Sequence, residues 1–238
     1  MEQNELGQPI GFAVRGWKPV YLPSNEPMQG DYCRLEPLDP IVHAEDLFAA
    51  NKHDLEGKLW TYLRYGPFGN FDEYFQWLKI MSNKADPQFY AIIDLGGNKA
   101  VGLASYLRIS PEYGSIEVGH LCYSPLLQGT VAATEAMFLM MQRIFDMGYR
   151  RYEWKCNSLN IASCNAARRL GFSPEGVFRQ DAVVKGRNRD TAWFSIIDTE
   201  WGILKEAFTK WLSPLNFDEK GNQVKRLSDF TEISTEKS

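Results

Sequence analysis

Residues 116–172 constrain this chain more than any other stretch. They read as an apolar strand, a tight turn, an amphipathic helix, a second strand and a short helix closed by Gly171-Phe172. The turn runs Ser124-Pro125-Leu126-Leu127-Gln128-Gly129-Thr130-Val131-Ala132-Ala133. A turn at a helix start leaves backbone N–H groups free at the positive end of the helix dipole, where a phosphate can sit. Gly129, Ala132 and Ala133 are small enough to let a ligand approach the main chain. The same residues also make an ordinary strand-to-helix turn.

The elements around that turn follow from pattern. Met137, Met140, Met141 and Ile144 keep helical spacing over 133–147, and Gly148 is a plausible stop. Over 151–157, Arg151, Glu153, Lys155 and Asn157 face one way while Tyr152, Trp154 and Cys156 face the other, so the segment is a half-buried strand. Strand, helix, strand in this order implies a parallel pair joined by a right-handed crossover. Asn160 is a natural N-cap for a helix over 161–170 that Gly171 ends.

Upstream, residues 1–30 carry four prolines and read as an irregular arm, followed by a strand at 32–37. Helices are expected over 41–51 and 71–83, separated by an aromatic loop at 60–69. A hairpin over 89–109 turns at Gly96-Gly97-Asn98, and a further turn leads into the strand at 115–123. Downstream, a second hairpin at 177–199 turns on Lys185-Gly186-Arg187-Asn188-Arg189, and an amphipathic helix covers 200–212. The tail after Asn216 reads as polar and loose. The expected organisation is an arm over 1–30, one domain over 31–212 and a tail over 213–238.

Composition narrows the function. A net charge of −4 gives no field to hold nucleic acid or an anionic membrane, and no apolar run approaches the ~20 residues of a membrane span. Cys33, Cys122, Cys156 and Cys164 show no CxxC pairing and read as buried thiols in a reducing cytoplasm. His43, His53 and His120 are far apart, so no metal site is expected. There is no G-x-S-x-G elbow for a covalent intermediate.

Taken together, the meander of strands, the phosphate-type turn, the parallel strand, Asn160-x-x-Ser163 and Leu170-Gly171-Phe172 resemble the GNAT superfamily of acetyl-CoA-dependent N-acetyltransferases. The likeness covers about 32–212 and is nearest to the branch containing the ribosomal-protein N-terminal acetyltransferases. It implies an α+β fold: a mixed, mostly antiparallel sheet flanked by helices, with a splayed parallel strand pair forming an acetyl-CoA cleft. The family's loop pattern, Gln/Arg-x-x-Gly-x-Gly/Ala, falls on Gln128, Gly129, Thr130, Val131, Ala132 and Ala133. Val131 departs from it, standing where the family usually has Gly, and Val does not readily take positive φ.

The resemblance further implies that backbone groups of Leu121 and Tyr123 pair with pantetheine and that the Leu121 amide polarises the thioester carbonyl. It gives Asn160 the pantetheine arm and makes Ser163 the proton donor to the leaving thiolate; both residues also read as a helix cap and its first turn. Glu117 matches a position where related enzymes often carry Glu and can take the amine proton through water, or simply pair with an Arg. His120, three residues on, is expected on the opposite face. Asp181 is a further candidate base. Trp60, Tyr62, Tyr65 and Phe68 can line an acceptor pocket or pack under their loop. Lys185, Arg187 and Arg189 can meet the 3′-phosphate or an acidic substrate, or stay solvated. The reading that follows is acetyl transfer from the co-substrate acetyl-CoA to a primary amine by direct attack in a ternary complex, with no metal. The acceptor is a protein N-terminus or a small molecule, and the enzyme a monomer or homodimer. The alternative is a regulatory module that holds acyl-CoA without turnover.

Overall fold

The computed structural model describes residues 2–219 and 221–231. Its centre is an eight-stranded sheet, built from β3 (Met28–Gln29), β4 (Cys33–Pro37), β5 (Gln88–Asp94), β6 (Lys99–Ser110), β7 (Ser115–Tyr123), β8 (Arg151–Asn157), β10 (Arg187–Ile197) and β9 (Ser173–Val184) in that spatial order. Every neighbouring pair is antiparallel except β7 and β8. A two-stranded ribbon, β1 (Glu2–Gln3) with β2 (Pro9–Ile10), lies outside it.

Helices cover both faces. On one, α1 (Pro40–Asn51) and α2 (Phe71–Ser82) pack Leu47, Tyr74 and Leu78 onto Phe89, Ala91 and Leu103. On the other, α3 (Val131–Asp146), α4 (Ile161–Arg169) and α5 (Asp198–Leu212) bury Met140, Met141, Ala167, Leu204 and Phe208 against Tyr106, Ile116, Tyr152 and Phe194. Tyr74, Tyr106, Tyr152 and Phe208 are among the fully buried rings, each contributing on the order of 2–3 kcal/mol of burial. The helix starts are set locally: the side chains of Asp39, Asn70, Thr130 and Asn160 each accept the N–H that their first turn leaves free.

Three regions differ from the sequence expectation. The arm is not wholly irregular: β3 extends the sheet edge, and Arg143 on α3 donates to the carbonyls of Glu26 and Pro27 at 2.7 and 2.6 Å. The second hairpin is longer at its strand ends and turns tightly on Lys185-Gly186, both at positive φ. The segment after α5 is not loose over its described part. Leu227 is fully buried beside a short helix, α6 (Ser228–Thr231), and Asn216 bridges the carbonyls of Trp211 and Lys225, both at 3.1 Å.

One buried carboxylate fixes α3 to the sheet. Glu135 accepts the N–H groups of Asp31, Tyr32 and Cys33 at 2.8, 2.7 and 2.7 Å. Gly30 must stay glycine beside it, since a Cβ there would collide with that carboxylate.

Candidate active site

The parallel ladder between β7 and β8 runs from Ser115/Arg151 to Val118/Trp154 and then stops, although both strands continue. Where they part, a cavity of about 1200 Å³ passes from the start of α3 to the loop after α1. Its two ends are built differently.

At the α3 end the wall is main chain. Thr130 caps the helix, its hydroxyl accepting from the Ala133 amide at 3.1 Å and donating to Leu127 O at 2.8 Å. This leaves the N–H groups of Val131 and Ala132, the first two helical residues, for an outside acceptor. The positive φ that the loop needs falls on Gly129, at +73°, and a Cβ there would meet open space. Val131 is an ordinary helical residue. Its departure from the family pattern therefore costs the loop nothing in backbone geometry. Gln128 donates to Tyr123 O at 2.7 Å, tying the loop back to β7. Leu121, Tyr123, Gln128, Gly129, Thr130, Val131, Ala133, Asn160 and Ser163 all line the cavity; Ala132 instead lines a smaller adjoining cleft with Asp31 and Asp94.

Asn160 and Ser163 stand at the waist. The Asn160 side-chain oxygen accepts the Ser163 amide at 3.1 Å, and the Ser163 hydroxyl accepts from the Trp154 indole at 3.0 Å and also hydrogen-bonds the Cys156 thiol. Below them Cys156 and Cys164 are free, 3.5 Å apart at sulfur, and burial pushes the Cys156 thiol up to about 11. That leaves it protonated and unreactive at neutral pH.

The other end is built from side chains, and two β-bulges aim them. One extra residue in β7, between Gly119 and Cys122, places His120 at φ +51°; one in β6 places Arg108 at φ +46°. The first bulge overturns the expectation for His120. It breaks the strand alternation, so the imidazole turns to the α1/α2 face that Glu117 also faces, stacked 5.7 Å from Tyr65 and tilted against Phe89 at 5.1 Å. Burial, with Arg108, Arg64 and Lys84 adding repulsion, holds its pKa down to about 4, so it is neutral at physiological pH. Glu117 is 3% exposed, with Oε2 3.0 Å from Lys155 Nζ and 3.1 Å from Arg108 Nε. Burial nevertheless raises its pKa above the ordinary carboxylate value; the two cations offset only part of that. Lys155 also pairs with Glu153 at 2.7 Å and lies 3.7 Å over the Trp193 ring.

Other sequence candidates fall elsewhere. Of the loop aromatics only Tyr62 lines the cavity, its hydroxyl donating to Leu159 O at 3.1 Å. Trp60, Tyr65 and Phe68 pack on one another and on Trp77 beneath the loop. Asp181 is exposed and outside the cavity. Irregular pairing of β9 near Arg179 and Gln180 breaks the alternation that was to face it inward, and it accepts from Thr191 at 2.7 Å instead. Lys185 is spent on Trp60 O, Arg187 is exposed, and Arg189 turns into the cavity. Arg64, Arg108, Lys155 and the post-α5 residues Phe217 and Gln223 are wall residues the sequence reading missed. The alternation at 151–157 was a usable signal for Lys155, since a parallel neighbour with that charged face meets Glu117. Among the described residues no group of three or more His, Cys, Asp or Glu could hold a metal, and no helix is long and apolar enough to cross a membrane.

The family model for the acetyltransferase (GNAT) domain matches residues 34–173. A GCN5-related N-acetyltransferase from Brucella melitensis is 45% identical with a TM-score of 0.90, over 92% of this chain and 100% of its own. The chain belongs to the GNAT acetyltransferases. A probable GNAT-family acetyltransferase from Chromobacterium violaceum is 39% identical, TM-score 0.76, over 82% of this chain and 98% of that one. An acetyltransferase from Salmonella typhimurium that modifies the N-terminal serine of ribosomal protein L7/L12 shares the fold, at 21% identity and TM-score 0.62, over 72% and 99%. No curated protein matches the chain. As a GNAT enzyme it is an acetyl-CoA-dependent acyltransferase with a mixed, mostly antiparallel sheet and one parallel pair.

Proposed function

We propose that this GNAT enzyme moves acetyl from acetyl-CoA to a primary amine by direct attack within a ternary complex. The observation that carries the reading is the coincidence, at one point of the sheet, of the end of β7–β8 pairing, the His120 bulge and a cavity that joins a helix N-terminus to a buried Glu. The residues fit the cofactor. The free amides of Val131 and Ala132, with Gly129 giving room, suit a diphosphate, and the unpaired edge of β7 at Leu121 and Tyr123 suits the amides of pantetheine. With the thioester at the bulge, the Leu121 N–H is the donor to the carbonyl oxygen as it gains charge.

In the step itself, the amine nitrogen forms a bond to the carbonyl carbon and its proton passes to Glu117. The C–S bond breaks, sulfur leaves with the electron pair, and the Ser163 hydroxyl passes a proton to the thiolate as it takes one from solvent. Glu117 must be ionised to act, and its raised pKa makes it a better acceptor than a solvated carboxylate. His120, neutral and nearby, is available to relay that proton. Placing two reactants on either side of one gap supplies much of the rate by itself.

The reading as a binding module without turnover draws on Val131 and on the lack of a clear base; Gly129 carrying the positive φ weakens the first ground, and turnover of an amine is the test of the second. The acceptor is a protein N-terminus or a small-molecule amine, and we place the reaction in the cytoplasm, where free thiols persist. The test is calorimetry with acetyl-CoA and with dephospho-CoA, followed by thiol-release assays on amines and peptides. Saturable binding with turnover of some amine supports the proposal. Binding with no turnover of any amine leaves only the module.

A further inference from the structure

The acceptor end of the cavity has more positive charge than its carboxylates can match. Of its cations, Arg108 and Lys155 share Glu117, and Lys58 pairs with Glu56. Arg64, in the loop before α2, and Arg189, on β10, have no carboxylate within ion-pair distance among the described residues. Arg189 is half-buried and lines the cavity, and its Nε donates to Thr191 Oγ1 at 3.0 Å, which leaves both terminal nitrogens without a side-chain partner among the described residues and free to donate to a ligand. Asp181 and Glu117 favour its charge from beyond ion-pair distance, Asp181 accepting from the same Thr191 hydroxyl. Burial and the neighbouring Arg64 guanidinium both work against its charge. Arg64 is exposed and Arg189 half-buried, so water carries part of their charge; two like-charged guanidiniums on one wall still favour an anion between them, and their planar forks fit carboxylate or phosphate oxygens.

An amine arrives as an ammonium, which this wall repels. We propose that the acceptor is an amine that also carries an anionic group, a carboxylate or a phosphate, held by Arg64 and Arg189 while its nitrogen faces Glu117. The inference rests on the acetyl-transfer reading above. The anion neutralises the guanidinium pair, the ammonium sheds its first proton to solvent as it enters, and Glu117 takes the proton that the nitrogen loses on attack. Lys155 and Arg108 stay on Glu117 and keep it from meeting the anion. His120 contributes no charge.

The experiment compares matched acceptors on the full chain at saturating acetyl-CoA: β-alanine against propylamine, phosphoethanolamine against ethanolamine. The anionic member of at least one pair should show kcat/KM higher by about tenfold or more, expressed mostly in KM, and the pair that responds names the anion. In Arg64→Gln and Arg189→Gln the anionic member should lose more than its partner, so the ratio collapses toward one, while Arg189→Lys recovers part of it. Acetyl-CoA calorimetry on each variant checks that the fold and cofactor end are intact. Equal use of both members in wild type, or equal losses in the variants, overturns the proposal while leaving acetyl transfer standing. If no amine turns over, the transfer reading falls. The subsite is then judged by calorimetry of phosphoethanolamine against ethanolamine on the CoA-loaded protein: preference for the phosphate upholds it, and no preference ends it.

Discussion

The two ends of the cavity present their chemistry through different parts of the polypeptide. At the start of α3 the working groups are amides and a glycine, so side-chain identity matters little beyond size. At Glu117 the working groups are side chains from five separate segments, aimed by two bulges and held by ion pairs. A main-chain site is fixed by a local turn and tolerates drift in sequence, as Val131 illustrates. A side-chain site depends on distant elements meeting, so a single change there alters what the enzyme accepts without disturbing how it holds its cofactor.

That contrast can be broken at several points. The largest effect is expected from Glu117→Gln, which should lower kcat by roughly 10²–10⁴-fold and leave acetyl-CoA affinity within about twofold. The wild-type rate should climb with pH as Glu117 ionises, its pKa lying above the ordinary value; the variant should lack that limb. Full turnover by the variant from about pH 6 to 9 would remove Glu117 as the base.

Next, Ala133→Glu puts a carboxylate beside the proposed diphosphate and should weaken acetyl-CoA binding on the order of a hundredfold, read by calorimetry, with kcat at saturation much less affected. Unchanged affinity would move the phosphates away from this loop. A smaller loss, about tenfold, is expected for Gly129→Val, because a β-branched residue at φ +73° is strained even in open space. Val131→Gly, which restores the family residue, should change affinity by less than about threefold; a large gain would mean that side-chain bulk at 131 does obstruct the ligand.

The subtlest test concerns stability. His120 titrates at about 4 in the folded protein against 6.5 unfolded, so between those values only the unfolded chain takes up a proton. Stability should therefore fall as pH drops from 6.5 toward 4 and level off below, a loss of ~3 kcal/mol that denaturant midpoints would show and that His120→Gln should shed.

Much of the main-chain end could be read directly from sequence. The Gln128–Ala133 turn, the caps at Thr130 and Asn160 and the alternation over 151–157 are local patterns, and local patterns survive into the fold. The side-chain end was only partly legible. Glu117 came from the likeness to the family, but the bulge that turns His120 is one residue with an unusual φ, invisible to a period-two count. Arg64, Arg108 and Arg189 lie 44 to 125 positions apart in pairs and converge only through sheet order. Trp60, Tyr65 and Phe68 stayed open between two roles for a related reason: an aromatic loop looks the same whether its rings line a pocket or roof a core. Leu227 and Asn216 sit in a polar stretch whose few anchoring residues give no periodic signal.

The parting of β7 and β8 leaves a window through the sheet itself, with Ala133, Met137 and Ser163 on one side and Tyr62, Arg64 and His120 on the other. On the proposed reading each substrate enters from its own side while the other is in place. A single compound threaded through the window, a pantetheine-like arm joined to an anionic amine mimic, would engage both halves at once. Its second contact becomes intramolecular, so its avidity can exceed either arm's by ~10²–10⁴-fold with no new interaction made.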